Sequence, residues 1–274
     1  MYATSTIIKH SKRSGRLIGT HQRINKIARK QFTQLKGRRV KFPILKNIQY
    51  FEGANGPDGL KRKSPGHDVP HAFLNPRKTK NQKLVTQIMN HHYNLVKALK
   101  KGDDVKAAFG AAWMAHDVVD GLTPAHYYPY EEQREELLDG RDYGKFFGLK
   151  TQGFMPGDGI LELLKNNWVY WGPKGMFTPH IAFEFGVAIL VMATPEKVMR
   201  RMPTDEELEM LREIGFERMF YKSVRRVAKM DLYNNYLENG WSAELALEVR
   251  QNLMPELVKC VTLAWVSAYE ESRK

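Results

Sequence analysis

A histidine and a carboxylate at one-turn spacing lie in the segment from Ala107 to Tyr130, AAFGAAWMAHDVVDGLTPAHYYPY. Up to Gly121 its composition predicts a helix, so His116 and Asp120, four residues apart, project from one face about one turn (about 5.4 Å) apart. Imidazole nitrogen and carboxylate oxygen in this arrangement suit two ligands of one metal ion. The segment therefore predicts a metal site.

A third candidate ligand, His126, follows a break in this helix. On an unbroken helix His126 would lie about 120° around the axis from Asp120 and could not share its ion. Gly121 weakens a helix, and Pro124 disfavours helical geometry just before itself. The break is expected to turn His126 toward a second ion beside the first.

A second histidine and carboxylate pair interrupts the apolar stretch HIAFEFGVAILVMA. Thr178 and Pro179 predict the start of its helix, as N-cap and first helical residue. Apolar residues all round predict a buried core helix, in which a carboxylate without a partner is costly. We expect His180 and Glu184, again four residues apart, to hold a metal ion, and a structural His/Glu pair is the alternative.

The stretch from Gly53 to Pro76 is dense in Gly, Pro, Asn and Asp, which predicts a long loop. Loops of this length in compact domains are more often functional than idle, and this one holds Asp58 and His71. Asp58 in the sequence PDG would also fit a turn with no ligand role. The loop therefore adds two candidate ligands.

The elements that must position these residues are helical. Apolar residues at 3- and 4-residue steps predict a helix that Thr20 could cap, with His21 in its first turn, and another over 81–100. Asp103 or Asp104 can cap the helix that follows. Because strand-like alternation is scarce, the chain is predicted to be all-α.

The composition favours one sizeable helical domain. With 274 residues, 42 % of them hydrophobic, the chain can bury a large core, and its one cysteine, Cys260, excludes an intramolecular disulfide and favours a reducing compartment. Neither a signal-peptide core nor the roughly 20 apolar residues of a membrane span is evident. We expect a cytoplasmic protein with a basic arm over 1–19 and a domain over 20–274, including a less regular, aromatic-rich insertion over 127–176.

The positive charge is concentrated near the N-terminus. Residues 1–46 contain thirteen Lys or Arg and no Asp or Glu, whereas the rest of the chain has 30 basic and 30 acidic residues, so the net charge of +13 comes from this block. Such a block attracts nucleic acid or an anionic membrane surface. A solvated arm with no partner is the alternative interpretation.

The order of the candidate ligands carries a family resemblance. They are His21, Asp58, His71, His116, Asp120, His126, His180 and Glu184. With the motifs THQRINKIA, GANGPDG, HAFLNP, HDVVDGLTPAH and HIAFE, residues 20–184 resemble the zinc-dependent phospholipase C / P1 nuclease superfamily, whose members are helical bundles with a three-zinc cluster in a cleft. The resemblance implies a zinc-dependent hydrolase that cleaves an anionic phosphate ester, the phosphodiester of a phospholipid or a nucleic acid, with a water that the metal activates.

The resemblance also implies which ligands share an ion. One zinc would be held by Asp58, His71 and His116, a second by His21 with Asp120 bridging it to the first, and a third by His126, His180 and Glu184. Asp58 would also assist deprotonation of the attacking water.

Two positions depart from the superfamily's pattern. Secreted members use a processed N-terminal tryptophan as a ligand, whereas this chain begins Met-Tyr-Ala, and we hypothesise that His10 replaces it. Asn75 stands where relatives tend to carry an aspartate after the metal histidine.

Two other functions compete with this interpretation. An HD-type metal phosphohydrolase would use the His-Asp dipeptides at 67–68 and 116–117, with Asp117 as a ligand, although adjacent residues diverge by about 100° on a helix. A non-catalytic helical protein could instead bind nucleic acid or an anionic membrane through the basic block.

Overall fold

A computed structural model describes residues 19–53, 55–58, 73–80, 82–127, 130–141, 145–146, 149–150 and 155–274. The regular elements are helical, as predicted, apart from a two-residue antiparallel pair of strands, β1 (Lys145–Phe146) and β2 (Leu149–Lys150). The α-helices are α1 (Thr20–Lys36), α2 (Leu45–Tyr50), α3 (Lys83–Lys101), α4 (Asp104–Gly121), α5 (Tyr130–Leu138), α6 (Ile160–Trp171), α7 (Phe177–Ala193), α8 (Glu196–Met199), α9 (Asp205–Ala228), α10 (Leu232–Asn239), α11 (Ala243–Glu248) and α12 (Met254–Ser272). A 3₁₀ helix covers Pro124–Tyr127 and a π-helix covers Val249–Leu253. Within these ranges, none of the helices is long and apolar enough to cross a membrane.

Helix α12 lies at the centre of the core. Fourteen of its nineteen residues are buried because it packs against α1, α3, α4 and α9 at once. Trp265 is fully buried and donates its indole N–H to the carbonyl of Ala111 at 3.0 Å, which fixes α12 against α4. Helix α4, which carries the predicted ligands, is therefore packed against the core on the side of α12. Burial in the same core raises the pKa of the Cys260 thiol to about 12.

A network of charges around buried Lys259 and Glu256 joins α9 to α12. The Nζ of Lys259 lies 2.5 Å from Glu207 and 3.1 Å from Glu256, and Arg226 donates to both oxygens of Glu256 at 2.7 and 2.9 Å. Each buried charge has an opposite partner, which is the condition for tolerating ions away from water. This network lies outside the histidine-rich part of the chain.

The α3–α4 hairpin positions the predicted metal ligands of α4. Asp103 caps α4 as predicted, accepting the Lys106 N–H at 3.0 Å. Gly121 is the last residue of α4, where a Cβ would lie 2.7 Å from Cζ of Phe220 and 3.0 Å from Leu84. Glycine at this position therefore permits the close approach of α9, and the helix ends only after it.

Two predicted helix caps are wrong. Thr20 is already inside α1, with Gly19 as the N-cap residue, and its side chain is fully buried. Helix α7 begins at Phe177, and the hydroxyl of Thr178 donates to the carbonyl of Trp171 at 2.6 Å. In both cases packing against a neighbouring segment moves the helix start by one residue or more.

Helix α6 exposes most of its large apolar side chains. Its inward side carries Tyr170 and two asparagines: Asn166 donates to the carbonyl of Pro156 at 2.7 Å, and Asn167 donates to the carbonyl of Met155 at 2.8 Å. Five of the six exposed large apolar side chains of α6 form what we call the outer face of α6, namely Ile160, Leu161, Leu164, Trp168 and Trp171. At 100° per residue these five side chains fall within about 100° of arc, and Val169, the sixth, lies on another side. Leu161 is 85 % exposed and Trp168 is 69 % exposed, so α6 presents an apolar surface.

Candidate metal centre

Two stacked imidazoles form the first part of the site. His21 on α1 and His116 on α4 are both buried, with ring centroids 4.1 Å apart and planes 12° apart. Their Nε2 atoms face the same carboxylate: that of His21 lies 3.5 Å from Oδ1 of Asp120, and that of His116 lies 3.4 Å from Oδ2. Each oxygen of Asp120 thus faces a different histidine.

These separations fit a shared metal ion better than they fit hydrogen bonds. Ligand atoms about 2.1 Å from a tetrahedral zinc lie about 3.4 Å from each other, whereas a good N–H···O bond spans about 2.7 to 3.2 Å. In the described part of the chain Nε2 of His116 has no hydrogen-bond partner, although it is buried. Oδ1 of Asp58 lies 3.8 Å from the same atom. The residues present would therefore fit a divalent metal such as zinc, and Asp120 lies between the Nε2 atoms of the two histidines.

Glu52 is a member of this group that sequence reasoning missed. Its side chain is fully buried, and Oε1 lies 2.8 Å from Nδ1 of His116 and 3.9 Å from Nδ1 of His21. Burial raises the pKa of Glu52 to about 7, against the opposing charge and hydrogen bond of His116. Together, His21, Glu52 and His116 form one of two buried groups whose nitrogen and oxygen atoms are close enough to hold a metal ion. The sequence contains one signal that could have pointed to it: Glu52 is the first acidic residue after a long basic stretch.

The second group consists of His126, His180 and Glu184. Oε1 of Glu184 lies 2.9 Å from Nε2 of His126 and 3.4 Å from Nε2 of His180. The two imidazoles are stacked with centroids 5.0 Å apart, and Phe73 and Phe177 lie against them. The arrangement brings together α7 and the 3₁₀ helix, which is the grouping that the family resemblance implies.

Electrostatics links the two groups. Burial lowers the pKa of His126, and the hydrogen bond with Glu184 and the charge of Asp120 oppose that effect. For Asp120, burial acts to raise the pKa, but the charge of His116 contributes to a value well below the usual range. Glu184 behaves similarly, because the charge of His180 and the hydrogen bond with His126 help to outweigh burial. The carboxylates of Asp120 and Glu184 are therefore held in the ionised form that a cation requires, whereas burial raises the pKa of Glu52.

The turn after α4 aims His126 at the second group. The N–H of Thr123 donates to the carbonyl of Asp120 at 3.0 Å, and the N–H of His126 donates to the carbonyl of Thr123 at 2.9 Å. The carbonyl of His126 then accepts the N–H of Leu74 at 3.0 Å. Pro124 is buried at the first position of the 3₁₀ helix, so its fixed φ angle is part of the turn.

Replacing Pro124 with Ala is expected to weaken the His126 ion before any other. The substitution frees φ in a turn that carries one ligand only, at a cost of about 0.4 to 1 kcal/mol through the unfolded chain and more if the turn relaxes. Metal content under increasing chelator should show one ion released at roughly tenfold lower chelator concentration, a difference of about 1.4 kcal/mol. Pro255→Ala, in the buried first turn of α12, is the matched control. Equal loss of all ions, or no loss, would contradict the prediction.

Several predicted site residues lie elsewhere. His10 and His71 are outside the described residues. Asn75 lies in a turn, where Oδ1 accepts the N–H of Arg77 at 3.0 Å. Asp117 points to α3, because its Oδ1 accepts from Gln87 at 2.9 Å and its Oδ2 lies 3.6 Å from Nε2 of His91. The dipeptide at 116–117 of the HD alternative is therefore divided between two sides of α4, and the dipeptide at 67–68 lies outside the described residues.

No family model, curated protein or solved structure matches this chain. What the site can do is therefore argued from its own donor atoms. Imidazole nitrogens with carboxylate oxygens are the ligand set that zinc prefers, and the same set accommodates other divalent transition metals. Two buried groups of this kind lie beside each other, and Asp120 contacts the first and acts electrostatically on the second.

Proposed function

We propose that the protein is a zinc-dependent phosphoesterase that hydrolyses phosphodiester bonds, with a site of the phospholipase C / P1 nuclease type. The observation that carries this proposal is the geometry of Asp120, whose two oxygens face the Nε2 atoms of His21 and His116 at the spacing of ligands that share an ion. A second buried histidine and carboxylate group beside it supports a site for more than one ion. In such a site zinc activates water and neutralises the charge of the phosphate.

The side chains of the site would have different roles in this reaction. His21, His116 and Asp120 would hold the first two ions, and His126, His180 and Glu184 would hold another. Asp58 is less buried than these and lies 3.8 Å from His116, so its carboxylate is placed to accept a proton at the edge of the site. No side chain of the described site needs to act as a covalent nucleophile.

Metal analysis and a chromogenic phosphodiester test the proposal together. Purified protein is expected to contain two or three zinc ions and to hydrolyse bis(p-nitrophenyl) phosphate, with activity lost in a chelator and restored by Zn²⁺. Protein without bound metal would overturn the metal centre. Bound metal without hydrolysis of the chromogenic substrate would contradict the phosphoesterase and favour a non-catalytic binding protein.

Contacts within the fold occupy part of the basic block on which the binding-protein alternative depends. Among its described residues, Lys26 and Lys30 both pair with Glu196, and Lys36 pairs with Glu270. The guanidinium of Arg23 donates to the carbonyls of Met192 and Thr194. These four cations bind α1 to the rest of the fold, whereas Arg38, Arg39, Lys41 and Lys46 of the same block are exposed and could meet a polyanion.

The outer face of α6 favours a phospholipid over a nucleic acid as substrate. The face connects to the site through aromatic contacts: Trp171 lies 5.0 Å from Phe177, and Phe177 stacks on His180 at 5.9 Å. Exposed Lys165 and Lys174 lie beside the face, and Trp168 and Lys174 line a surface cavity of about 320 Å³. Aliphatic side chains with tryptophan and flanking lysine are typical of a surface that enters a bilayer interface. We propose that this face contacts a phospholipid bilayer while the phosphate reaches the metal centre.

Leu161→Glu is expected to weaken vesicle binding without changing the chemistry. The variant removes one exposed leucine, whose full burial contributes about 1.5 to 3 kcal/mol, so co-sedimentation with phosphatidylcholine/phosphatidylserine vesicles should fall at least tenfold. Hydrolysis of the soluble chromogenic substrate should stay unchanged. Leu247→Glu, an exposed leucine on α11, is the control. Unchanged vesicle binding would contradict the bilayer assignment, and so would a change from oligomer to monomer, since a second copy of the chain would then cover the face.

A further inference from the structure

We infer that Glu52 is a positioning residue that fixes the rings of His116 and His21, and that it is not a metal ligand. The inference rests on the proposed metal centre and concerns which edge of the two imidazoles meets the ions. Both edges are flanked by a carboxylate. Glu52 lies on the Nδ1 side, and Asp120 lies on the Nε2 side.

The distances distinguish the two sides. Oε1 of Glu52 lies 2.8 Å from Nδ1 of His116, the length of a charge-assisted hydrogen bond. Glu184 lies about as close to Nε2 of His126, but His116 differs from His126 in having a second carboxylate, that of Asp120, on its opposite edge. On the other edge both Nε2 atoms lie 3.4 to 3.5 Å from Asp120. Nε2 of His116 also lies 3.8 Å from Asp58, which adds a third donor on that side. The Nε2 side therefore has the spacing of metal ligands. The Nδ1 side of His116 has the spacing of a hydrogen bond that orients the ring.

The carboxylate of Glu52 is itself fixed in place. Its Oε2 accepts from the amide of Asn25 on α1 at 3.4 Å, and its side chain is fully buried. A Cβ on Gly56 would lie 2.4 Å from the carbonyl oxygen of Glu52, so the following loop packs directly on this residue. The loop that carries Asp58 thus starts from the residue that holds His116.

This arrangement has a chemical consequence for both histidines. A carboxylate that accepts the Nδ1 proton leaves the Nε2 lone pair for a cation, fixes the ring orientation and makes the imidazole a stronger donor. His21 is stacked on His116 and its Nδ1 lies 3.9 Å from the same oxygen, so the first ring positions the second. One buried glutamate therefore orients His116 directly and His21 through the stacked ring of His116.

Nuclear magnetic resonance of the wild-type protein tests the inference directly. Long-range ¹H–¹⁵N spectra should show a proton on Nδ1 of His116, shifted downfield by its hydrogen bond, in both chelator-treated and zinc-loaded protein. Loss of that proton on loading with Zn²⁺ would show coordination through Nδ1, and absence of the proton from the chelator-treated protein would show that Glu52 does not bind it. Either result overturns the inference.

Substitutions give a second, independent measurement. Glu52→Gln keeps an oxygen that can accept the Nδ1 proton, so zinc stoichiometry should stay unchanged and affinity should fall by no more than about tenfold. Glu52→Ala removes the acceptor and should lower affinity by about 10- to 100-fold, the usual effect of losing an outer carboxylate. The Co²⁺-loaded glutamine variant should retain the wild-type absorption bands, because no ligand is exchanged.

A missing equivalent of zinc in Glu52→Gln, with altered cobalt bands, would make Glu52 a ligand and overturn the inference. Failure of the proposed phosphoesterase activity is a separate result. It would appear in the chromogenic assay and leave the proton on Nδ1 and the metal titration unaffected.

Discussion

Asp120→Asn is expected to lower kcat/KM for a chromogenic phosphodiester by at least about 100-fold, which corresponds to roughly 2.7 kcal/mol of lost transition-state stabilisation. The two oxygens of Asp120 face two histidines, and an asparagine offers one oxygen and an amide nitrogen that does not bind zinc. Zinc content should fall by at least one equivalent in the same preparation. Because the side chain is buried and the substitution is isosteric, far-ultraviolet circular dichroism should remain that of the wild type.

Asp117→Asn is the matched control for this experiment. Asp117 is also a buried aspartate of α4, only three residues away, but it faces Gln87 and His91 on α3. Its variant should keep wild-type zinc content and lie within about threefold of wild-type kcat/KM, a difference under 1 kcal/mol. An HD-type site predicts loss of metal in Asp117→Asn. The pair of variants therefore separates the two metal-hydrolase interpretations.

The sequence predicted the parts of the site that depend on local geometry. The His116/Asp120 and His180/Glu184 pairs each lie four residues apart, and a helix places such residues on one face whatever surrounds it. The break after α4 was also predicted from local sequence, because Pro124 disfavours helical geometry just before itself. Its form, a 3₁₀ helix held by backbone hydrogen bonds to Thr123, becomes visible only in the structure.

Contacts between distant segments were not predictable in this way. Glu52 meets His116 across 64 positions of sequence, and no local pattern contains that pairing. The packing role of Gly121 depends on Phe220, on a helix much later in the chain. Periodicity does predict that α6 has an apolar side, but it cannot tell whether that side meets the core or the solvent.

Removal of metal should lower the melting temperature of the wild-type protein by roughly 10 °C for each tightly bound ion. A ligand at about 1,000 times its Kd contributes about 4.1 kcal/mol, and a chain of this size shifts by about 2 to 4 °C per kcal/mol. The physical cause is the loss of a cation from buried carboxylates, above all Asp120 and Glu184. Differential scanning calorimetry with and without a chelator measures the effect.

Glu184→Gln should reduce this chelator-induced shift without removing it. The second group loses its carboxylate, whereas His21, His116 and Asp120 are unchanged and can still bind metal. Glu256→Gln is the control for losing a buried glutamate as such. It disrupts the pairs with Arg226 and Lys259, and none of its described contacts is with a histidine, so it should lower the melting temperature equally with and without chelator and leave the difference at the wild-type value. If Glu184→Gln and Glu256→Gln leave the same difference, Glu184 binds no ion and its contact with His126 is a structural pair.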